Sequence, residues 1–219
     1  DEDVPALKNV SFARKAGEHV GIVGRMGSGK STIEKLILGL YQPKSGSILI
    51  DGLDIAQIDP ADLRRAIGYV PQDVHLFRGT IKDNILCRSR RYDDDLMFRA
   101  AVISGTDEFV RNHPRGYEMA VAERGMGLSG GQRQSVGIAR ALVEDPEILL
   151  FDEPSNAMDQ TSEQNLMKNL QPILEGKTML MVTQKLSMLA VTERLMVMHE
   201  GALIHDGERD QVLKLLSGG

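Results

Sequence analysis

The chain has 219 residues, 42% hydrophobic and 26% charged, which is typical of a globular protein with one large domain or a domain and a subdomain. Its net charge of −5 and the absence of Trp argue against a broad nucleic-acid surface and against stacking on bases. The single Cys87 cannot form an internal disulfide, and no apolar run approaches the roughly 18 residues that span a membrane.

Short apolar runs alternate with helical patterns, which predicts an α/β domain with a mainly parallel sheet. The first strand is predicted at HVGIVG (residues 19–24), before a glycine loop. A helix follows at STIEKLILGLY (31–41), whose apolar residues have helical spacing. GSILIDG (46–52) and AIGYVPQ (66–72) are predicted to be further strands.

Between residues 73 and 133 the strand-like runs thin out and the charge rises, which predicts a mostly helical insertion. The core would then comprise residues 1–72 and 134–219. The three acids Asp93, Asp94 and Asp95 are expected to cap a helix through LMFRAAVIS. The charged run RSRRYDDD (88–95) is interpreted as a solvated surface.

The last third of the chain is richest in strand patterns. EILLFDEP (147–154) and TMLMVT (178–183) are continuous apolar runs, typical of strands that are buried on both faces. A third run, RLMVMHEG (194–201), is predicted to begin a terminal hairpin that continues through residue 207.

GRMGSGKS (24–31) matches the phosphate-loop pattern at every fixed position, between a strand and a helix. The glycines let successive backbone N–H groups point at phosphate oxygens, and the helix adds its positive end. Lys30 would supply charge to the terminal phosphates, and the Ser31 hydroxyl would ligate Mg²⁺. The motif predicts a P-loop NTPase.

A partner acid is expected at the end of another buried strand. ILLFDE (148–153) supplies Asp152, which would hold Mg²⁺ through water. Glu153 follows directly, where it would polarise an attacking water and act as the catalytic base.

LSGGQ (128–132) precedes a predicted helix and is a second potential anion site. With it, the chain resembles the nucleotide-binding domain of ABC transporters over its whole length. Five motifs carry the resemblance in order: Walker A (24–31), the Q-loop glutamine Gln72 in YVPQD, the signature LSGGQ, Walker B (148–152), and the D-loop SNAMD (155–159).

The resemblance implies a RecA-like P-loop core with an N-terminal antiparallel β part, and a helical subdomain inserted between Q-loop and signature. It also implies a head-to-tail homodimer that sandwiches two ATP molecules, with Asp159 and Ser129 at the interface. The residues implied to bind ATP are Gly24, Arg25, Met26, Gly27, Ser28, Gly29, Lys30, Ser31, Thr32, Gln72, Ser129, Gly131 and Gln132. Those implied for Mg²⁺ are Ser31, Gln72 and Asp152.

FRGTIKDNI (77–85) and AERG (122–125) resemble the corresponding segments of ABC exporters. SNAMD and the segment around VTQKLSML are similar to bacterial type I secretion ATPases, which export large adhesins or RTX proteins. This implies a fused or associated permease, with the same chain as the favoured place for it, and also a periplasmic adaptor and an outer-membrane channel. The expected location is the cytoplasmic face of the bacterial inner membrane, with no nucleic-acid partner.

Gln184 departs from the family, which has a switch histidine after the same strand. By position, Gln184 is expected at the active site with Lys30 and Glu153; the alternative is that it is only the polar end of a strand.

The leading hypothesis is an ATPase that powers export. The alternative is a regulatory module that binds ATP and dimerises but barely hydrolyses it. A DNA-repair or chromosome-packing ATPase is disfavoured, because residues 73–122 are too short for a coiled-coil insertion.

Overall fold

The computed structural model of the protein describes residues 5–89 and 93–217. Its strands are β1 (His19–Gly24), β2 (Leu49–Ile50), β3 (Leu53–Asp54), β4 (Ile67–Val70), β5 (Gly79–Thr80), β6 (Ala120–Val121), β7 (Ile148–Asp152), β8 (Thr178–Val182), β9 (Arg194–His199) and β10 (Ala202–Glu208). Its α-helices are α1 (Lys30–Ile37), α2 (Pro60–Ala66), α3 (Ile81–Leu86), α4 (Asp94–Ser104), α5 (Thr106–Val110), α6 (Gly130–Leu142), α7 (Gln160–Leu170), α8 (Leu186–Leu189) and α9 (Arg209–Ser217).

A six-stranded sheet in the order β10-β9-β1-β8-β7-β4 forms the centre of the protein. Its strands are parallel except for β10, which pairs antiparallel with β9 as the predicted terminal hairpin. The carboxyl ends of the parallel strands meet at one edge, where ligands bind in open α/β sheets. The loop after β1, Gln72 after β4, Asp152 at the end of β7 and Gln184 after β8 all belong to that edge.

Both faces of the sheet are covered, which explains why its strands read as continuous apolar runs. Leu150 and Leu180 belong to a hydrophobic cluster with Ile33 of α1 and Leu63 of α2. Leu149 and Phe151, which alternate with Leu150 along β7, belong to a second cluster with residues of α3, α4 and α6. Because successive side chains of a strand point to opposite faces, each central strand joins the two layers.

The stretch from residue 73 to 133 is mainly helical where it is described, as predicted, and it adds one short antiparallel pair, β5 and β6. Its buried side chains share a hydrophobic cluster with sheet residues, so the helices pack directly onto the sheet. Asp93 caps α4 by accepting hydrogen bonds from the N–H groups of Asp95 and Leu96. The division of the chain at residues 73 and 133 stays a prediction.

The charged run after α3 was predicted to be a solvated surface, and this was wrong for Arg88. The guanidinium of Arg88 is half-buried and donates to the carbonyls of Arg64, Arg65 and Ile67, at the end of α2. It thereby satisfies carbonyls that the helix end leaves free. Residues 90–92 of the run lie outside the described residues.

Two predicted elements were too long. Helix α1 ends at Ile37, and not at residue 41, because Gly39 adopts a left-handed conformation (φ 64°) that terminates the helix. The strand predicted at residues 46–52 is reduced to β2, which pairs antiparallel with β3. Within the described residues, this pair is the antiparallel part expected in the N-terminal region.

In the described part of the chain, no helix combines the length and the apolar character that a membrane crossing requires.

Candidate active site

The phosphate loop connects β1 to α1, as predicted. Gly29 is the N-cap of α1 with φ 98°, a left-handed conformation that favours glycine, and among the described residues no side chain caps this helix end. A Cβ atom at Gly29 would lie 2.6 Å from Leu7 and 2.8 Å from the Ala6 carbonyl oxygen. The N-terminal segment therefore packs against the loop and leaves room only for glycine at this point.

Lys30 begins α1 and is buried, although it is charged. Its Nζ donates to the carbonyl oxygens of Gly24 (2.8 Å) and Arg25 (2.9 Å), so the ammonium group lies inside the loop. Burial lowers the pKa of Lys30, and the nearby carboxylates of Glu153 and Asp152 partly oppose that shift. The carbonyl groups of the loop and the two acids at the end of β7, Asp152 and Glu153, therefore surround one cation.

The Ser31 hydroxyl donates to Oδ2 of Asp152 at 2.8 Å, although the two residues lie far apart in the sequence. Asp152 is buried at the end of β7. A hydroxyl and a carboxylate in contact are hard oxygen ligands of the kind Mg²⁺ prefers, and these two match the predicted pair. The side chains present therefore fit a magnesium ion held beside the phosphate loop.

Glu153 follows Asp152 in a left-handed backbone conformation (φ 47°), which is rare for a residue other than glycine. Its N–H donates to the Val182 carbonyl oxygen (2.8 Å), and its Oε2 accepts from the Thr183 hydroxyl (3.1 Å). Strained backbone of this kind persists where the surrounding structure enforces it, often at functional sites. Here the strain accompanies the turn of the chain out of β7.

A cleft of about 420 Å³ brings most of the predicted residues together. Those that line it are Met26, Gly27, Gly29, Lys30, Ser31, Thr32, Gln72, Asp152, Glu153 and Gln184. Of the remaining loop residues, Gly24 is half-buried, Arg25 is exposed and Ser28 is buried under the loop. The Gln184 side chain is exposed at the cleft, as its place after β8 predicted.

The signature residues Ser129, Gly131 and Gln132 do not line this cleft in the described chain. They form the start of α6, where Ser129 and Gln132 make reciprocal hydrogen bonds between side chain and backbone N–H. This capping box fixes the helix start, and it leaves Ser129 exposed. A Cβ atom at Gly131 would lie 3.2 Å from the Ala157 carbonyl oxygen, so the signature packs against the D-loop.

Asp159 ends the D-loop and caps α7. Its carboxylate accepts from the N–H (2.9 Å) and the hydroxyl (3.0 Å) of Ser162. The hydrogen bond from the Ser162 N–H is the main reason why the pKa of Asp159 is lowered. Asp159 is exposed, and the roles predicted for it and for the other site residues stay predictions.

Sequence reasoning missed Glu34, which is fully buried next to Asp152. No donor in the described chain reaches its two carboxyl oxygens. Burial, followed by the charge of Asp152, raises the pKa of Glu34 to about 9. Its spacing from Lys30 is the signal that was available, because residues i and i+4 share a helix face.

Sequence reasoning also missed Glu163 of α7. Its buried carboxylate accepts hydrogen bonds from Ser155, Lys185 and Ser187. These four residues, called the polar clamp below, connect the start of the D-loop to the segment after Gln184. Their separation along the chain hides the group from pattern reasoning.

The ABC transporter family profile matches residues 7–156. The leukotoxin translocation ATP-binding protein LktB of Pasteurella haemolytica-like sp. (strain 5943B) is 42% identical over 217 residues, which is 99% of this chain and 31% of that protein. The exotoxin translocation ATP-binding protein PaxB of Pasteurella aerogenes is also 42% identical, over 99% of this chain and 30% of its own. The chain thus spans about a third of the length of these relatives.

Among solved structures, a bacterial Atm1-family ABC exporter with ATP bound is similar to this chain with a TM-score of 0.93. The two are 39% identical, and the match covers 98% of this chain and 38% of the exporter.

Proposed function

The chain belongs to the ABC transporter family, and on that premise we propose that it binds ATP with Mg²⁺ and hydrolyses the ATP to power export through a fused or associated membrane permease. The observation that carries the proposal is the convergence of Lys30, the Ser31–Asp152 pair and Glu153 on one cleft. Each group lies at the carboxyl edge of the sheet, next to the phosphate loop.

In this proposal the chain acts by positioning and by electrostatics. The loop N–H groups and Lys30 hold the phosphates, and Gln184 donates an amide hydrogen bond toward the γ-phosphate. Glu153 orients the attacking water and accepts its proton. Ser31, Gln72 and Asp152 would hold Mg²⁺, which when bound neutralises charge on the phosphate oxygens.

The proposed assembly is a head-to-tail homodimer. The signature lies outside the cleft that contains the phosphate loop of its own chain, yet it is an exposed helix start with the character of an anion site. A second copy can present that helix start to the ATP, and Asp159 of the exposed D-loop would lie at the interface. One nucleotide would thereby contact two chains.

The proposed substrate is a protein exported by type I secretion, at the cytoplasmic face of the bacterial inner membrane. The similarity to leukotoxin and exotoxin translocation proteins supports this class. In such a system a periplasmic adaptor and an outer-membrane channel would complete the route, and no nucleic acid takes part.

A second candidate function follows from Gln184. A glutamine cannot become a cation near physiological pH, as a histidine can, and its side chain is less rigid. A chain of this kind can bind ATP and dimerise while its turnover is very slow, which would make it a regulatory module. The rate of phosphate release distinguishes this candidate from the export ATPase.

The test is to measure phosphate release and ATP binding by the purified chain with Mg²⁺, for the wild type and for Glu153→Gln. We expect turnover in the wild type and none in the variant, because an amide cannot accept the proton. The variant retains the phosphate loop and the signature, so it should elute as a dimer in size-exclusion chromatography with ATP and Mg²⁺.

Lys30→Ala serves as the control, since it should lose ATP binding and dimer formation together. A Glu153→Gln variant that still hydrolyses ATP would disprove the role of the base. A wild type that binds ATP and dimerises without measurable turnover would support the regulatory module instead.

A further inference from the structure

The polar clamp is built around one buried carboxylate. Glu163, in the first turn of α7, is 8% exposed. Its Oε2 accepts from Lys185 Nζ (2.5 Å) and Ser155 Oγ (2.7 Å), and its Oε1 accepts from the Ser187 hydroxyl. Lys185 Nζ also donates to the Ser155 carbonyl oxygen (2.8 Å). The D-loop and the segment after Gln184 therefore share one anchor.

The carboxylate is ionised in this environment. Burial acts to raise the pKa of Glu163, but the hydrogen bonds from Lys185, Ser187 and Ser155 outweigh burial and hold the pKa below its ordinary value. Charge-assisted hydrogen bonds of this kind are shorter and stronger than neutral ones. The clamp therefore joins a buried carboxylate to a half-buried ammonium group.

The clamp continues to the proposed catalytic base. The Lys185 N–H donates to Thr183 Oγ1 (3.1 Å), and that hydroxyl donates to Glu153 Oε2 (3.1 Å). Thr183 is fully buried. Gln184 lies between these two anchored residues, so its backbone is held while its side chain is free to face the cleft.

We propose that Glu163 is a positioning residue for ATP hydrolysis: it holds the D-loop and the segment that carries Gln184 and Thr183 in one arrangement, and thereby orients Glu153. This rests on the proposed function. Glu163 is not among the described residues that line the cleft, whereas Lys185 is, so Glu163 acts through Lys185. Since an error of about 1 Å in such positioning lowers a rate by up to about 10²-fold, the effect on turnover is large.

The first measurement is hydrogen–deuterium exchange of the nucleotide-free chain, which does not depend on ATP hydrolysis. In Glu163→Gln, the amides of residues 155–159 and 182–187 should exchange at least tenfold faster than in the wild type. The matched control is Lys177→Met. Lys177 is also 8% exposed and is paired with Asp145 (3.0 Å), but it precedes β8 at the end remote from the cleft. This control should leave both segments unchanged.

The second measurement is steady-state ATPase activity. Glu163→Gln should lower kcat about 10- to 100-fold with KM for ATP within twofold, and Lys177→Met should leave kcat unchanged. In a Lys185→Met background, Glu163→Gln should have no more than a twofold further effect, because both changes break one connection. Ser187→Ala removes a single hydrogen bond and should therefore lower kcat less than Glu163→Gln does. This variant also keeps the test possible if Glu163→Gln fails to fold.

Unchanged exchange at both segments in Glu163→Gln and Ser187→Ala would overturn the clamp. The melting temperature of each variant is measured beside its kcat. If Lys177→Met, with the same loss of melting temperature as Glu163→Gln, lost as much kcat, the positioning role would be overturned. A wild type without turnover whose clamp still responds in the exchange experiment would contradict the proposed function and leave the clamp standing.

Discussion

At the scale of single residues, Gln184 stands where the family resemblance leads us to expect a histidine, and its side chain is exposed at the cleft. Its amide can still donate a hydrogen bond, so we expect slow turnover and not a complete loss of it. Loss of one well-placed donor lowers a rate by about 10²–10³ in an oxyanion hole.

We expect Gln184→His to raise kcat at least several-fold, because an imidazole ring is more rigid and donates from a fixed position. Gln184→Ala should lower kcat further, because no donor remains. ATP affinity should change little in either variant, which calorimetry would check beside phosphate release. Equal turnover in all three forms would show that Gln184 is only the polar end of a strand.

Glu34 leads to a prediction about stability and pH. The folded state raises its pKa from 4.5 to about 9, so between these values the folded chain holds a proton that the unfolded chain releases. This contribution makes the free energy of unfolding fall as pH rises, by at most about 1.4 kcal/mol per pH unit. The loss begins above pH 4.5 and is complete above about pH 9.

Glu34→Leu removes the titrating group from its buried position next to Asp152. The free energy of unfolding of the variant should therefore exceed that of the wild type, by a margin that grows between pH 6 and pH 8.5. Urea unfolding of the nucleotide-free chain with a chelator present measures this. Parallel pH profiles would mean that Glu34 keeps an ordinary pKa.

At the scale of elements, α6 carries the signature on a helix start that its own capping box completes. The closeness of Gly131 to the D-loop means that a larger side chain disturbs both segments at once. Helix starts and strand ends thus do most of the positioning in this protein.

Gly131→Asp should abolish turnover while ATP binding by the single chain stays intact. The added carboxylate repels a phosphate and displaces the D-loop, but it lies away from the cleft that contains Lys30. Calorimetry and an ATPase assay on this variant, beside Lys30→Ala, test the expectation. An ATP affinity that falls as far as that of Lys30→Ala would mean that the signature serves its own chain.

Element ends show where prediction from sequence succeeds and fails. The phosphate loop was predictable because its residues are contiguous and their backbone demands are local. Asp152 was predictable because the end of a doubly buried strand is recognisable from its apolar run. Helix α1 was overextended because apolar spacing continues to Leu40, whereas Gly39 ends the helix and leaves Leu40 exposed.

At the scale of the whole molecule, the missed residues share a cause. In the sequence, Glu34 resembles an ordinary solvent-facing acid, and only the packing of α1 against β7 buries it. Glu163 likewise resembles an ordinary helix residue, and only the contact of α7 with the segment after β8 gives it its partners. Their environments arise from contacts between segments far apart in the chain. Composition and periodicity report only local environment, so the polar clamp was not visible, and the one signal for Glu34 was its spacing from Lys30.

The sheet order also determines when the protein can first work during its biosynthesis. Strand β1, which leads into the phosphate loop, has β8 and β9 as its two neighbours, and both are made in the last quarter of the chain. A ribosome that adds about 5–20 residues per second delivers them on the order of ten seconds after β1. Until then β1 lacks the two strands that flank it in the folded sheet, so its edges are open to pairing with other chains.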